Sequence, residues 1–92
     1  MCYSIEPDEE DLLADVRRQH RGDNLLLQRV AEGLDLLKRD PYVCMRRIIP
    51  LPQGRYRYRH GPCRIIYRVD ARKHRVQILA IRRRDESTYR DL

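Results

Sequence analysis

Three arginines, Arg55, Arg57 and Arg59, alternate with Tyr56 and Tyr58 in the run GRYRYRHGPCRIIYRVD at residues 54–70. Residues two apart on a β-strand share a face, so the three guanidinium groups project together and the two phenols project the other way. Arg64 and Arg68 follow on the next stretch, and Arg82, Arg83 and Arg84 close the run VQILAIRRR. If the tyrosines pack inward, these cations line one open surface. Like charges on one surface repel, and even attractive exposed pairs add only ~0–1 kcal/mol to folding. An anionic ligand is therefore the economical reason for the face, and the guanidinium fork matches phosphate oxygens in particular. The competing reading is a solvated basic face. Against it, only Asp70, Asp85, Glu86 and Asp91 are acidic in the second half of the chain, and none lies between these arginines on the first strand.

The charge is segregated along the chain. Residues 1–45 hold 6 Lys and Arg against 10 Asp and Glu, whereas residues 46–92 hold 14 against 4, so an acidic half precedes a strongly basic one. At 92 residues the chain fits one domain, 1–92, with one modest core. Phe and Trp are absent, which leaves six tyrosines to serve as every aromatic in core and surface alike. No run approaches the ~20 apolar residues of a membrane span, and the N-terminus MCYSIEPDEEDL is acidic where a secretory signal is basic. The expectation is a cytoplasmic protein that does not engage membrane. Cys2, Cys44 and Cys63 are odd in number and form no CxxC pair, which fits a reducing compartment; Cys44 and Cys63 read as buried apolar side chains. His20, His60 and His74 lack metal-ligand spacing and read as surface residues, so no metal and no other cofactor is expected.

Two elements of helical period occupy the acidic half. Cys2 to Ile5 reads as a short edge strand. Pro7 suits a first helical position, Asp8 to Asp11 favour the positive end of the helix dipole, and Leu12, Leu13 and Val16 form a stripe. After Gly22, Asp23 can cap a second helix in which Leu27, Val30, Ala31, Leu34 and Leu37 recur until Asp40-Pro41. In the basic half, Arg55 to Arg59, Arg64 to Val69 and Val76 to Arg82 read as an antiparallel meander, and IIPLPQG before it reads as a loop. Layer logic gives an α+β fold: an edge strand, a two-helix hairpin covering one sheet face, three meander strands, and a basic concave opposite face.

GRYRYRHGPCRIIYRVD followed by VQILAIRRRDESTYR resembles the core signature of the RelE/ParE toxin superfamily, a Y-R-x-R-x-G-x-x-R-φ-φ-Y pattern and then a hydrophobic strand ending in basic residues and a tyrosine or histidine. The resemblance covers the basic half closely and the acidic half only in layout. It implies a toxin of a type II toxin–antitoxin pair, neutralised by a cognate antitoxin protein. The RelE branch of this superfamily cuts messenger RNA on the ribosome without a metal. By that resemblance Arg55 and Arg57 fall on two basic positions, Arg64 on the arginine before the φ-φ-Y strand, Arg83 on the arginine after the last strand, and Tyr89 on the C-terminal tyrosine.

The implied reaction is attack of a 2′-OH on the adjacent phosphate, giving a 2′,3′-cyclic phosphate and a 5′-OH. Arg57, Arg64, Arg83 and Tyr89 are the catalytic candidates, and Arg55, Arg59, Arg68, Arg82 and Arg84 the RNA-binding ones. Arg64 and Arg83 would clamp the phosphate, and Arg55 or Arg57 would assist or orient the 2′-OH. Tyr89 would stack on a base, orient the 2′-OH, or move a proton. The chain carries arginine at 55 and 57 where RelE-like toxins can use lysine, and a guanidinium is a poor general base. Two further readings share the fold: a ParE-like inhibitor of DNA gyrase, and an RNA binder without catalysis.

Overall fold

The computed structural model describes residues 3–42 and 48–83 of the chain. A single five-stranded sheet in the order β1-β5-β4-β3-β2 is covered on one face by two helices. The strands are β1 (Ser4–Glu6), β2 (Ile48–Leu51), β3 (Arg55–His60), β4 (Cys63–Asp70) and β5 (Arg75–Arg83); the helices are α1 (Glu9–Gln19) and α2 (Asn24–Arg39). The expected α+β layout and the β3–β4–β5 meander are both present, and every pair is antiparallel except β1 with β5.

Helix α1 starts two residues later than the proline suggests. Pro7 lies outside it, and Asp8 is the cap, its carboxylate accepting from the Glu10 N–H at 3.3 Å. An aspartate satisfies one of the orphan amides of the first turn, which a proline at the same place cannot do. Glu9, Glu10 and Asp11 then complement the dipole, and Arg17 and Arg18 the opposite end. Leu12 and Val16 are the residues it buries. Helix α2 begins where expected, with the Asp23 carboxylate accepting from the Leu26 N–H at 3.1 Å. Its buried stripe is Leu26, Val30, Gly33, Leu34 and Leu37, so Leu26 takes the inward position that the spacing assigned to Leu27. Between the helices, Lys38 and Glu9 form an ion pair at 3.1 Å.

The segment IIPLPQG is not all loop. Ile48–Leu51 pairs with β3 in the register Ile48↔Tyr58 to Leu51↔Arg55 and forms the outer edge of the sheet. Pro50 fits there because an edge strand has a side on which no amide is needed. The turn that follows places Gln53 at φ 66 and Gly54 at φ 71, a pair of left-handed residues that reverses the chain into β3. The edge strand β1 begins at Ser4 and runs to Glu6; Cys2 lies outside the described residues.

The core sits between α2 and the inner sheet face. Leu26, Val30 and Leu34 are fully buried against Tyr58, Ile65, Tyr67 and Val76. Tyr58 and Tyr67 are the largest of the fully buried side chains, so tyrosine fills the volume that phenylalanine or tryptophan would otherwise take. The Tyr67 hydroxyl donates to the Pro41 carbonyl at 2.7 Å, which removes the penalty of burying it. Tyr56 stacks on Tyr67 with centroids 5.6 Å apart, and Tyr42 meets Tyr56 edge-on at 6.1 Å. Gly33 permits the close approach of α2, since a Cβ there would lie 3.1 Å from Cδ1 of Ile65. No helix among the described residues is long and apolar enough to cross a membrane.

Candidate nucleic-acid interface

Strand register decides which arginines meet. Across β3, β4 and β5 the partners are Arg59↔Arg64↔Arg82 in one row, Arg57↔Ile66↔Ala80 in the next, and Arg55↔Arg68↔Gln77 in a third. Tyr58, Cys63, Ile65 and Tyr67 belong to the buried core with α2, so by alternation all three rows lie on the face turned away from the helices. Neighbouring strands are ~4.8 Å apart, so Arg59, Arg64 and Arg82 stand side by side. Arg55, Arg57, Arg59, Arg64, Arg68 and Arg82 thus share one face, and between residues 55 and 68 that face carries no carboxylate.

The cations differ in exposure. Arg59 and Arg68 are exposed, Arg55, Arg57 and Arg82 are half-buried, and Arg64 is only 7% exposed. Arg64 sits beside Ile66, itself 3% exposed, so the centre of the row combines a covered cation with an apolar floor. On the helices, Asp15 pairs with Arg18 and Asp35 with Arg39. Arg55 is steadied by its own turn, its Nε donating to the Pro52 carbonyl at 3.0 Å.

Arg83 stands apart from these rows. Its Cα partner is Cys63, on the helix side, and its Nη1 lies 2.7 Å from Oδ2 of Asp23, the residue that caps α2. The cause is a β-bulge. The register runs Tyr67↔Ile78 and then Ile66↔Ala80, so Leu79 is the extra residue on β5. One inserted residue reverses the inside–outside parity beyond it. Without it Arg83 would face outward with the other arginines; with it Arg82 does. Tyr89 and Arg84 lie outside the described residues.

Three side chains of this surface carry no signal in the sequence pattern. Ile49 and Leu51 of β2 are the register partners of Arg57 and Arg55, and Ile49 is 40% exposed beside the arginines. Both belong to the segment whose prolines read as loop. Gln77 joins the face only through the register with Arg68.

On the opposite side, His60 is not the surface residue its turn position suggested. Its Nδ1 lies 3.2 Å from the Tyr58 hydroxyl and its Nε2 3.1 Å from Oε1 of Glu32, which also takes Arg29 Nη1 at 2.7 Å. The Arg29 hydrogen bond, and then that of His60, holds the Glu32 carboxyl below its ordinary range. This chain ties α2 to the end of β3. Cys63 is fully buried as expected, and burial pushes its thiol up to about 12.

The model of the ParE toxin of type II toxin–antitoxin systems matches residues 9–88. The chain belongs to this toxin family, within the RelE/ParE superfamily. Two solved structures share its fold. The toxin–antitoxin complex RelBE2 from Mycobacterium tuberculosis contains a chain 24% identical over 91% of this chain and all of that one, with a TM-score of 0.62. The archaeal RelE–RelB complex from Pyrococcus horikoshii OT3 contains one 21% identical over 95% of this chain and all of that one, with a TM-score of 0.61. No curated protein matches the chain. The family makes this protein a toxin of a type II toxin–antitoxin system.

Proposed function

We propose that this toxin is a metal-independent, ribosome-dependent messenger-RNA endonuclease that inhibits translation. The observation that supports it is the row Arg59, Arg64, Arg82 with Arg57 beside it, on a sheet face with no carboxylate between residues 55 and 68. Guanidinium groups held side by side on paired strands suit a phosphate that gains negative charge as the 2′-OH attacks it. Removing one such preorganised donor typically costs about 3 kcal/mol in the transition state.

In this reading Arg57 and Arg64 hold the scissile phosphate, and Arg55, Arg59, Arg68, Arg82 and Arg84 hold flanking phosphates. Proton transfer does not fall to arginine, whose pKa lies above ~12. It falls to Tyr89, whose phenol, ordinarily near ~10, is lowered if cations surround it. Arg83 joins the substrate only by leaving Asp23, so its part is to brace the end of β5. The cytoplasm is the compartment where such an enzyme meets its substrate.

A cognate antitoxin protein is the second partner in this proposal. Both solved relatives are complexes of toxin with antitoxin, and a basic face of this kind invites an acidic or amphipathic segment that folds on binding. A second activity is favoured by one specific finding, the match to the ParE family model. That reading is poisoning of DNA gyrase on the same scaffold.

The test is primer extension on messenger RNA in programmed ribosomes, comparing wild type with Arg57→Ala and Tyr89→Phe. The proposal expects cleavage by wild type that falls at least about tenfold in either variant. Intact message with folded wild type, together with inhibition of supercoiling by gyrase, would replace the nuclease with the gyrase reading.

A further inference from the structure

The lower end of the arginine face contains a depression of about 430 Å³, of which the nuclease reading uses Arg68 alone. It is walled by Arg68, Arg72, Arg75, Asp70, Glu6 and Gln77. The register explains its floor: Arg68, Gln77 and Glu6 are partners across β4, β5 and β1, and Asp70, Arg75 and Ser4 form the next row. Arg72 overhangs from the turn between β4 and β5.

The charges in this depression are not equivalent. Arg75 is engaged by Glu6 at 2.8 Å, and Asp70 accepts the Lys73 N–H at 3.2 Å to close the turn. Among the described residues, the side chains of Arg68, Arg72 and Gln77 have no hydrogen bond or ion pair. The free groups are therefore two guanidinium forks and one amide. The forks suit a phosphate. The amide presents one donor and one acceptor, the pattern that reads N6 and N7 of adenine. The volume lies within the range of small-ligand sites and suits one nucleotide rather than a longer segment.

We propose that this depression is a nucleotide subsite, in which Arg68 and Arg72 hold one backbone phosphate and Gln77 selects adenine on the same nucleotide. The proposal rests on the RNA reading of the arginine face and adds to it a sequence-reading element. Arg68 is four residues from Arg64 along β4, or ~13 Å, farther apart than adjacent phosphates on an extended strand. The subsite therefore takes a nucleotide separate from the one at Arg57 and Arg64, and sets which sequences fit when that one is in place.

The test is equilibrium binding of short fluorescent single-stranded RNAs, oligo-A and oligo-C, at several salt concentrations. The proteins compared are wild type, the double variant Arg68→Ala/Arg72→Ala, Gln77→Ala, Arg57→Ala, and Arg21→Ala as a charge-removal control on the helical side. Thermal melts show that each is folded. Each lost phosphate contact lowers the slope of log K against log salt by about 0.7, so the double variant should show a shallower slope and Arg21→Ala an unchanged one. Gln77→Ala should keep the wild-type slope and lose a preference of about fivefold or more for oligo-A. A double variant with the slope of Arg21→Ala, or a Gln77→Ala protein with the wild-type base preference, overturns the subsite. If Arg57→Ala still weakens binding in that case, the RNA reading stands without it. A folded wild type that binds neither oligonucleotide overturns both.

Discussion

Arg83 reaches across from the end of β5 to the capping residue of α2, its Nη1 2.7 Å from Oδ2 of Asp23. Asp23 therefore holds two groups at once, since its other oxygen accepts the Leu26 N–H at 3.1 Å. The Arg83 side chain is 45% exposed, so solvent screens the pair, whose worth is ~0–1 kcal/mol. The cap itself is worth about 1 kcal/mol. We expect Asp23→Ala to destabilise by about 1–2 kcal/mol and Arg83→Ala by less than about 1. A double-mutant cycle in urea should give a coupling of about 0.2–1 kcal/mol. A coupling of zero, with the Arg83→Ala effect confined to RNA cleavage, would return Arg83 to the substrate.

The same pair shows where the sequence stops being legible. The alternation of Arg55, Arg57 and Arg59 with Tyr56 and Tyr58 is a local period-2 signal, and the strand, its inward tyrosines and its outward arginines follow from it. Helix α2 is equally plain, because Asp23 and Asp40-Pro41 bracket a continuous apolar stripe. Arg83 is different. Its side of the sheet depends on Leu79, an extra residue defined only by how β5 pairs with β4, and nothing local in ILAIRRR marks it. Strand β2 was hidden for a related reason: two prolines and a glycine are ordinary loop residues, and only an edge with one unpaired side accepts Pro50 in a strand. The depression at Arg68 and Gln77 was hidden because its rows join β1, at the start of the chain, to the β4–β5 hairpin near the other end.

Gly33 and Ile65 offer a test of how tightly α2 seats on the sheet. A Cβ at Gly33 would lie 3.1 Å from Cδ1 of Ile65, so alanine gains helix propensity of about 1 kcal/mol but meets that methyl. Ile65→Val removes the methyl and alone costs about 0.5–1.5 kcal/mol. We expect Gly33→Ala to add little in wild type and to stabilise by about 1 kcal/mol in the Ile65→Val background. Strict additivity in chemical denaturation would mean that α2 can shift away from β4 at no cost.

Glu32 makes one part of the stability depend on acid. Its folded carboxyl titrates below its ordinary value of 4.5, chiefly through Arg29 and then through His60. A depressed carboxylate adds stability above its unfolded value, and that stability is lost as pH falls through the folded one. The thermal midpoint of wild type should therefore exceed that of Glu32→Gln at about pH 7 and converge with it at about pH 3. A difference that persists undiminished in acid would assign the effect to shape rather than charge.

Cys63 should be chemically silent in the native state. Its side chain is fully buried and its thiol is pushed up to about 12, so almost no thiolate exists near neutral pH. In a Cys2→Ser/Cys44→Ser protein, alkylation by iodoacetamide should require unfolding, and its rate in increasing urea should track the global transition. Rapid alkylation without denaturant would show that the β4 end opens on its own.

Arg59 separates function from folding most directly. It is exposed, it faces Arg64 across β3 and β4, and Arg82 completes the row. Like charges directly opposite on a sheet destabilise it by roughly 0.2–1 kcal/mol. Arg59→Gln relieves that repulsion while keeping length and hydrogen-bonding ability, so it should raise stability by a few tenths of a kcal/mol and flatten the salt dependence of RNA binding by about 0.7. Opposite movement of the two quantities is what a face maintained for a ligand requires, because a purely structural arginine loses stability when removed and leaves binding alone. A variant that is less stable and binds RNA with the wild-type salt slope would make Arg59 a support of the sheet edge and confine the phosphate contacts to Arg57, Arg64 and Arg82.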